Sequence, residues 1–168
     1  MLNRRIIFKI LFISAAIGLL FNFFSGNGIN LLPKEIVLKE VSGFDSLSNI
    51  KPGTDSIEIK TINIETVYKL FLTGKVYFID GRDKWDYSEG HIPNAINLPE
   101  YKIDELNDQI EQLDKKNKYI VYCSGEDCNA SKRLAEVLIN KGFSNVLVYL
   151  GGFEEWSANK YPIEVTNE

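Results

Sequence analysis

Two cysteines, a single histidine and an Asp-x-Arg pair are the residues of this 168-residue chain best suited to do chemistry. Cys123 ends an apolar, β-branched run, Lys118-Tyr119-Ile120-Val121-Tyr122. The loop Ser124-Gly125-Glu126-Asp127-Cys128-Asn129 follows, and an amphipathic helical pattern opens at Ala130. A thiol at the end of a buried strand, facing a helix N-terminus across a short loop, is placed to be held as a thiolate. The loop's backbone N–H groups and the partial positive charge of the helix end both favour the anion. The thiolate is also the nucleophilic form of cysteine. Cys128, in the same loop, has two open readings: an inert, partly exposed residue, or a resolving thiol that forms a disulfide with Cys123. Asp80 and Arg82 are expected to support the pocket floor through an ion pair or hydrogen bonds. His91, in Gly90-His91-Ile92-Pro93, is expected to order its loop through a hydrogen bond. So few soft ligands cannot close a zinc site, and no metal or other cofactor is expected.

The elements that must position these residues alternate between strand and helix. Ile57 to Ile62 reads as a strand; Asn63 can N-cap a helix through Leu72, which Gly74 ends. Val76 to Ile79 is a continuous apolar run, as in a strand buried on both faces. Asp83 to Ser88 reads as a short helical turn, and Ala95 to Leu98 as a strand stopped by Pro99. Ile103, Leu106, Ile110 and Leu113 fall at helical spacing. Lys118 to Tyr122 is the next strand; Leu134, Val137 and Leu138 mark a helix closed by Gly142. Val146 to Leu150 is the last strand, and Phe153 to Ala158 the last helix. Trp85, Tyr87 and Trp156 are expected to pack, with the lining of the pocket mouth as an alternative for one of them. Such alternation implies an α/β fold with a mostly parallel central sheet and helices on both faces. Ligands in such folds sit at the carboxyl ends of the strands, where Asp80 and Cys123 fall.

The N-terminus is different in kind. Arg4 and Arg5 precede Ile6 to Phe24, nineteen residues interrupted by Lys9, Ser14 and Asn22. At about 1.5 Å per residue this is roughly 29 Å, about one hydrocarbon core. It reads as an uncleaved signal anchor, a transmembrane helix over residues 1–25, with a cleavable signal peptide as the alternative. Arg4, Arg5 and Lys9 should stay cytoplasmic, which puts the rest outside, periplasmic or at the cell surface. If the N-terminus were cleaved, the product would be periplasmic or secreted. Residues 26–56 carry turn signals and read as a linker, with Ile36-Val37-Leu38 a short strand at most. The domain proper is expected over 57–168. The chain is 45% hydrophobic and 25% charged, as in globular proteins. A net charge of −4 with no basic stripe argues against a nucleic-acid partner.

Three landmarks, in order and over roughly residues 57 to 165, resemble the rhodanese-like domain family. The first is Phe78-Ile79-Asp80-Gly81-Arg82, continued by Trp85, Tyr87 and Gly90-His91-Ile92-Pro93-Asn94-Ala95-Ile96-Asn97-Leu98-Pro99. The second is Ile120-Val121-Tyr122-Cys123. The third is Gly142-Phe143, then Val146 to Leu150, closing on Gly151-Gly152-Phe153-Glu154-Glu155-Trp156. The resemblance implies a sulfurtransferase whose cysteine takes sulfur from a donor as a persulfide and hands it to a thiol or other nucleophile. Donor and acceptor, small molecules or proteins, are then the expected partners. In the family's loop pattern, C-x-x-G-x-R-S, the serine aligns with Ser131, so the loop here is two residues longer. It lacks the arginine and carries Glu126 and Asp127, which should repel anionic donors such as thiosulfate. Phosphatase relatives place an arginine where Asn129 stands, which argues against phosphate chemistry. Two rivals remain: a thiol–disulfide redox protein using Cys123 and Cys128, and a non-catalytic binding module.

Overall fold

The computed structural model describes residues 4–24, 35–40 and 56–166. The chain divides into two units, residues 1–34 and 35–168. The first contains helix α1, Arg4–Phe24. Among the described residues no helix is long and apolar enough to cross a membrane. The N-terminal helix expected within residues 1–25 is present as Arg4–Phe24. Arg4, Arg5 and Lys9 fall in its first two turns, and no charged residue follows them in the helix. The sequence of 26–34 and 41–55, the rest of the segment read as linker, lies outside the described residues.

The second unit is built on a six-stranded sheet in the order β1-β2-β6-β5-β3-β4, with every neighbouring pair parallel. Its strands are β1 Glu35–Glu40, β2 Ser56–Ile62, β3 Tyr77–Asp80, β4 Ile96–Asn97, β5 Tyr119–Tyr122 and β6 Val146–Tyr149. β1 lies within the stretch read as linker, and there it forms a sheet edge on β2. Its central side chains, Ile36, Val37 and Leu38, are partly exposed, as befits an edge.

Local signals set most helix ends. In α2, Ile64–Thr73, Asn63 Oδ1 accepts the Thr66 N–H at 3.0 Å, and Gly74 closes the helix at φ 63°. Asp83 caps α3, Lys84–Glu89, by accepting from the N–H groups of Trp85 and Asp86. No residue of α3 is buried, and Trp85 is 77% exposed, so it does not pack as expected. The expected helix over 103–113 is broken: a 3-10 turn, Glu100–Lys102, leads through turns to the short helix α4, Asn107–Glu111. Asn107 explains part of this, because its amide donates to Asp104 O at 3.0 Å and offers the backbone an alternative to a helical bond. Ile103, Leu106, Ile110 and Leu113 nonetheless all pack into the core.

Side chains alternate along β5. Tyr119 and Val121 join a core with Leu134 and Leu138 of α5, Ala130–Asn140. Ile120 and Tyr122 join a second core with Val67 and Leu70 of α2 and Trp156 of α6, Gly152–Ala158. The period of two thus gives β5 two apolar faces and the sheet two helical layers.

Candidate active site

β3 and β5 pair with Asp80 opposite Tyr122, so Asp80 and Cys123 reach the same carboxyl edge of the sheet. Asp80 is fully buried. It accepts from the Arg82 backbone N–H at 2.9 Å and from Arg82 Nη2 at 2.6 Å, and Nη2 also donates to Gly90 O at 2.7 Å. Burial works against the guanidinium charge, but the bonds to Asp80 outweigh it, and the Arg82 pKa is raised. The guanidinium lies 4.2 Å from the centre of the Phe153 ring. Phe153 N–H in turn donates to Cys123 O at 2.8 Å, and Glu154 N–H donates to Ser124 O at 2.8 Å. The ion pair therefore supports the backbone that carries the thiol. That backbone runs close to Gly152, whose φ is +62°; a Cβ there would sit 2.6 Å from Ser124 O.

Cys123 is 1% exposed and joined to Cys128 in a disulfide, with the two Cα atoms 6.3 Å apart. Cys128 is partly exposed. Ser131 Oγ lies 3.4 Å from Cys123 Sγ, placed to donate to a thiolate there. Within the loop 124–129, Cys128 alone among the described residues gives its N–H to a backbone carbonyl, Gly125 O at 3.0 Å. Asn129 precedes α5 but makes no side-chain cap; its amide oxygen accepts from Lys132 Nζ instead.

A cleft of about 570 Å³ opens over this loop, lined by Ser124 to Cys128 together with Gly151, Glu154 and Glu155. Cys128 lines it; Cys123 does not. Four carboxylates and no basic side chain face the space. Tyr149 OH donates to Glu155 Oε2 at 2.9 Å and fixes one of them, while burial first and that carboxylate second push the phenol pKa up. Glu154 and Glu155 were not singled out as site residues from sequence. The signal was available: both follow β6, the neighbour of β5, at the carboxyl edge where such folds bind ligands.

His91 stands apart from the thiol in its contacts. Its Nδ1 donates to Tyr87 O at 2.8 Å, its ring stacks on Tyr87 at 3.7 Å, and Glu164 Oε2 lies 3.7 Å from Nε2. Its backbone also pairs with Glu164 in an antiparallel bridge. These contacts tie the C-terminal segment to the turn before Pro93. Among the described residues no group of three or more His, Cys, Asp or Glu is arranged to hold a metal ion.

Against known proteins, residues 63–159 match the model of one family, the rhodanese-like domain. The chain belongs to the rhodanese-like domain family. A thiosulfate sulfurtransferase GlpE of Coxiella burnetii is 33% identical over 100 residues, which cover 60% of this chain and 89% of the relative. A crystal structure of a Bacillus halodurans protein superposes with a TM-score of 0.58 at 32% identity, covering 63% of this chain and 77% of that one. A rhodanese-related protein of Thermoplasma volcanium gives a TM-score of 0.54 at 25% identity, covering 63% and 98%. The rhodanese-like match thus embraces the Asp80–Arg82 pair, the Cys123 loop and the Gly152 helix.

Proposed function

We propose that this rhodanese-like domain is a sulfurtransferase that carries sulfane sulfur as a persulfide on Cys123. One observation carries the reading: Cys123 sits buried at the end of β5, with Ser131 Oγ at 3.4 Å and the backbone N–H groups of the loop 124–129 beside it. Such donors stabilise a thiolate and a persulfide anion alike, so no separate general base is needed. The test uses the Cys128→Ser chain, in which Cys123 is the sole thiol. After reduction and exposure to inorganic polysulfide, intact mass should rise by one sulfur atom, and a dithiol should remove it. No gain would end the reading and leave thiol–disulfide exchange, which the Cys123–Cys128 bond favours, as the use of this site.

The curated relative is named for thiosulfate, but the cleft argues for a different donor here. Glu126, Asp127, Glu154 and Glu155 surround it, and a dianion is repelled by each. A unit charge pair at 4 Å is worth about 1 kcal/mol even in water. The double variant Glu126→Gln/Asp127→Asn is therefore expected to raise kcat/KM for thiosulfate roughly tenfold at low ionic strength, a gain that shrinks as salt is added. An uncharged organic trisulfide should show little change, and equal gains for both donors would refute the electrostatic account.

The reading extends to location. The apolar side chains of α1 are exposed, Phe12 at 78% and Phe21 at 75%, and a surface of that kind needs cover. Membrane insertion of α1 supplies it if the Lys9 ammonium snorkels to the headgroups, leaving Arg4 and Arg5 on the cytoplasmic side and the domain outside. Fractionation followed by protease digestion of intact cells checks this: the domain should pellet with membranes and be cut from outside. Recovery in the soluble fraction at full length would refute it.

A further inference from the structure

Cys128 is the second sulfur of the site, and its placement bears on what becomes of the sulfur that Cys123 takes. Cys123 is 1% exposed and does not line the cleft, whereas Cys128 does. In the bridged form an outside thiol meets Cys128 before Cys123. Cys128 itself needs no approach, because the two sulfurs meet in the structure with a Cα separation of 6.3 Å, inside the ordinary range for a bridge. The nearest nucleophile to a persulfide on Cys123 is therefore internal.

From this we infer that the protein discharges its persulfide within the chain, releasing hydrosulfide and leaving the Cys123–Cys128 disulfide; the inference rests on the persulfide reading above. In the loading step the Cys123 thiolate attacks the outer sulfur of a donor R–S–SH. An S–S bond forms to Cys123, the donor's S–S bond breaks, and RS⁻ leaves. In the discharge step the Cys128 thiolate attacks Cys123 Sγ. The Sγ–Sγ bond forms, the bond from Cys123 Sγ to the outer sulfur breaks, and the outer sulfur departs with the electron pair as HS⁻. The sulfane sulfur is reduced to sulfide and the two cysteines are oxidised to the disulfide, so the electrons balance. A dithiol reductant, attacking at the accessible Cys128 sulfur, then releases Cys123 as thiolate; its second thiol attacks the mixed disulfide, frees Cys128 as thiolate and leaves the reductant as its own disulfide, which closes the cycle. The four carboxylates favour departure of the small anion from the cleft. The two extra loop residues carry Cys128 into position, so loop length and second thiol become parts of one device. The chain would then act as a persulfide reductase toward a small persulfide, with a dithiol as electron source.

The experiment compares the reduced full chain in detergent with Cys128→Ser and Cys128→Ala, each given a slight excess of glutathione persulfide with no added thiol. Wild type should release about one sulfide per chain and lose two hydrogens in mass. The variants should hold one extra sulfur and release at least about tenfold less sulfide. With a dithiol added, wild type should turn over repeatedly. If the variants take up sulfur but wild type also keeps a stable persulfide and frees no sulfide, the discharge is refuted while the carrier reading stands. If the variants take up no sulfur, the carrier reading itself fails. Using two replacements at a partly exposed loop position, with matching circular dichroism spectra, separates loss of the thiol from loss of fold.

Discussion

Replacing Arg82 by methionine is expected to cost about 3–5 kcal/mol of stability, a fall of roughly 10–20 °C in melting temperature. The magnitude follows from what is left behind. Asp80 is fully buried, and the variant strips it of the donors at Nε and Nη2. Gly90 O loses its Nη2 donor at the same time. The loss is that of breaking a buried pair from one side, which leaves the other charge without its partner. Trp156, fully buried in the same unit, gives a fluorescence readout of the melt. The double variant Asp80→Asn/Arg82→Met should recover part of the loss, because it removes the stranded charge. No deficit, or a double variant no more stable than Arg82→Met alone, would show that the pair is not what holds this edge of the sheet. Arg82 also lies over Phe153, and Phe153 N–H holds Cys123 O, so sulfur uptake should fall with the fold-supporting contact even below the melting transition.

What could be read from the sequence was what is decided locally or by period. Asn63 and Gly74 bracket α2 because capping and a left-handed turn are set by a few neighbouring residues. The unbroken apolar run at Tyr119–Tyr122 announced a strand covered on both faces, and from it the position of Cys123 followed. The pairing of Asp80 with Arg82 was legible for the same reason, since two residues on one strand end can reach each other without help from elsewhere. The misses depend on distant partners. The short strand at Ile36-Val37-Leu38 was legible, but its joining the sheet was not, because that depends on the edge β2 offers it. His91 pairs with Glu164 across the chain, a contact no spacing rule exposes. Helical spacing at Ile103 to Leu113 correctly marked buried residues, but short polar side chains between them diverted the backbone from one continuous helix. Trp85 was expected to pack, and the short α3 presents it outward instead.

Replacing Cys123 by serine should lower sulfur uptake by roughly 10³-fold or more, with the fold intact. Serine fills nearly the same space, so the buried position is not opened, and Ser131 Oγ at 3.4 Å remains a compatible neighbour for a hydroxyl. What is lost is the anion. A thiol near pKa 8.5 can be shifted into its thiolate form by amides and a helix end, whereas an alcohol lies too far above neutrality for those fields to ionise it. Stability must be compared under reducing conditions, because in oxidised protein the variant also loses the bridge to Cys128, worth about 2 kcal/mol for so short a loop. The assay is the mass gain on exposure to polysulfide, read with Cys128 still present. That choice makes the result decisive between the two thiols. Cys128 is the more accessible sulfur and lines the acidic cleft, while Cys123 has the burial, the hydroxyl and the helix end. If exposure governed reactivity, the Cys123→Ser chain would still gain a reducible sulfur on Cys128. If stabilisation of the anion governs it, as the geometry requires, that chain takes up none and Cys128→Ser takes up one.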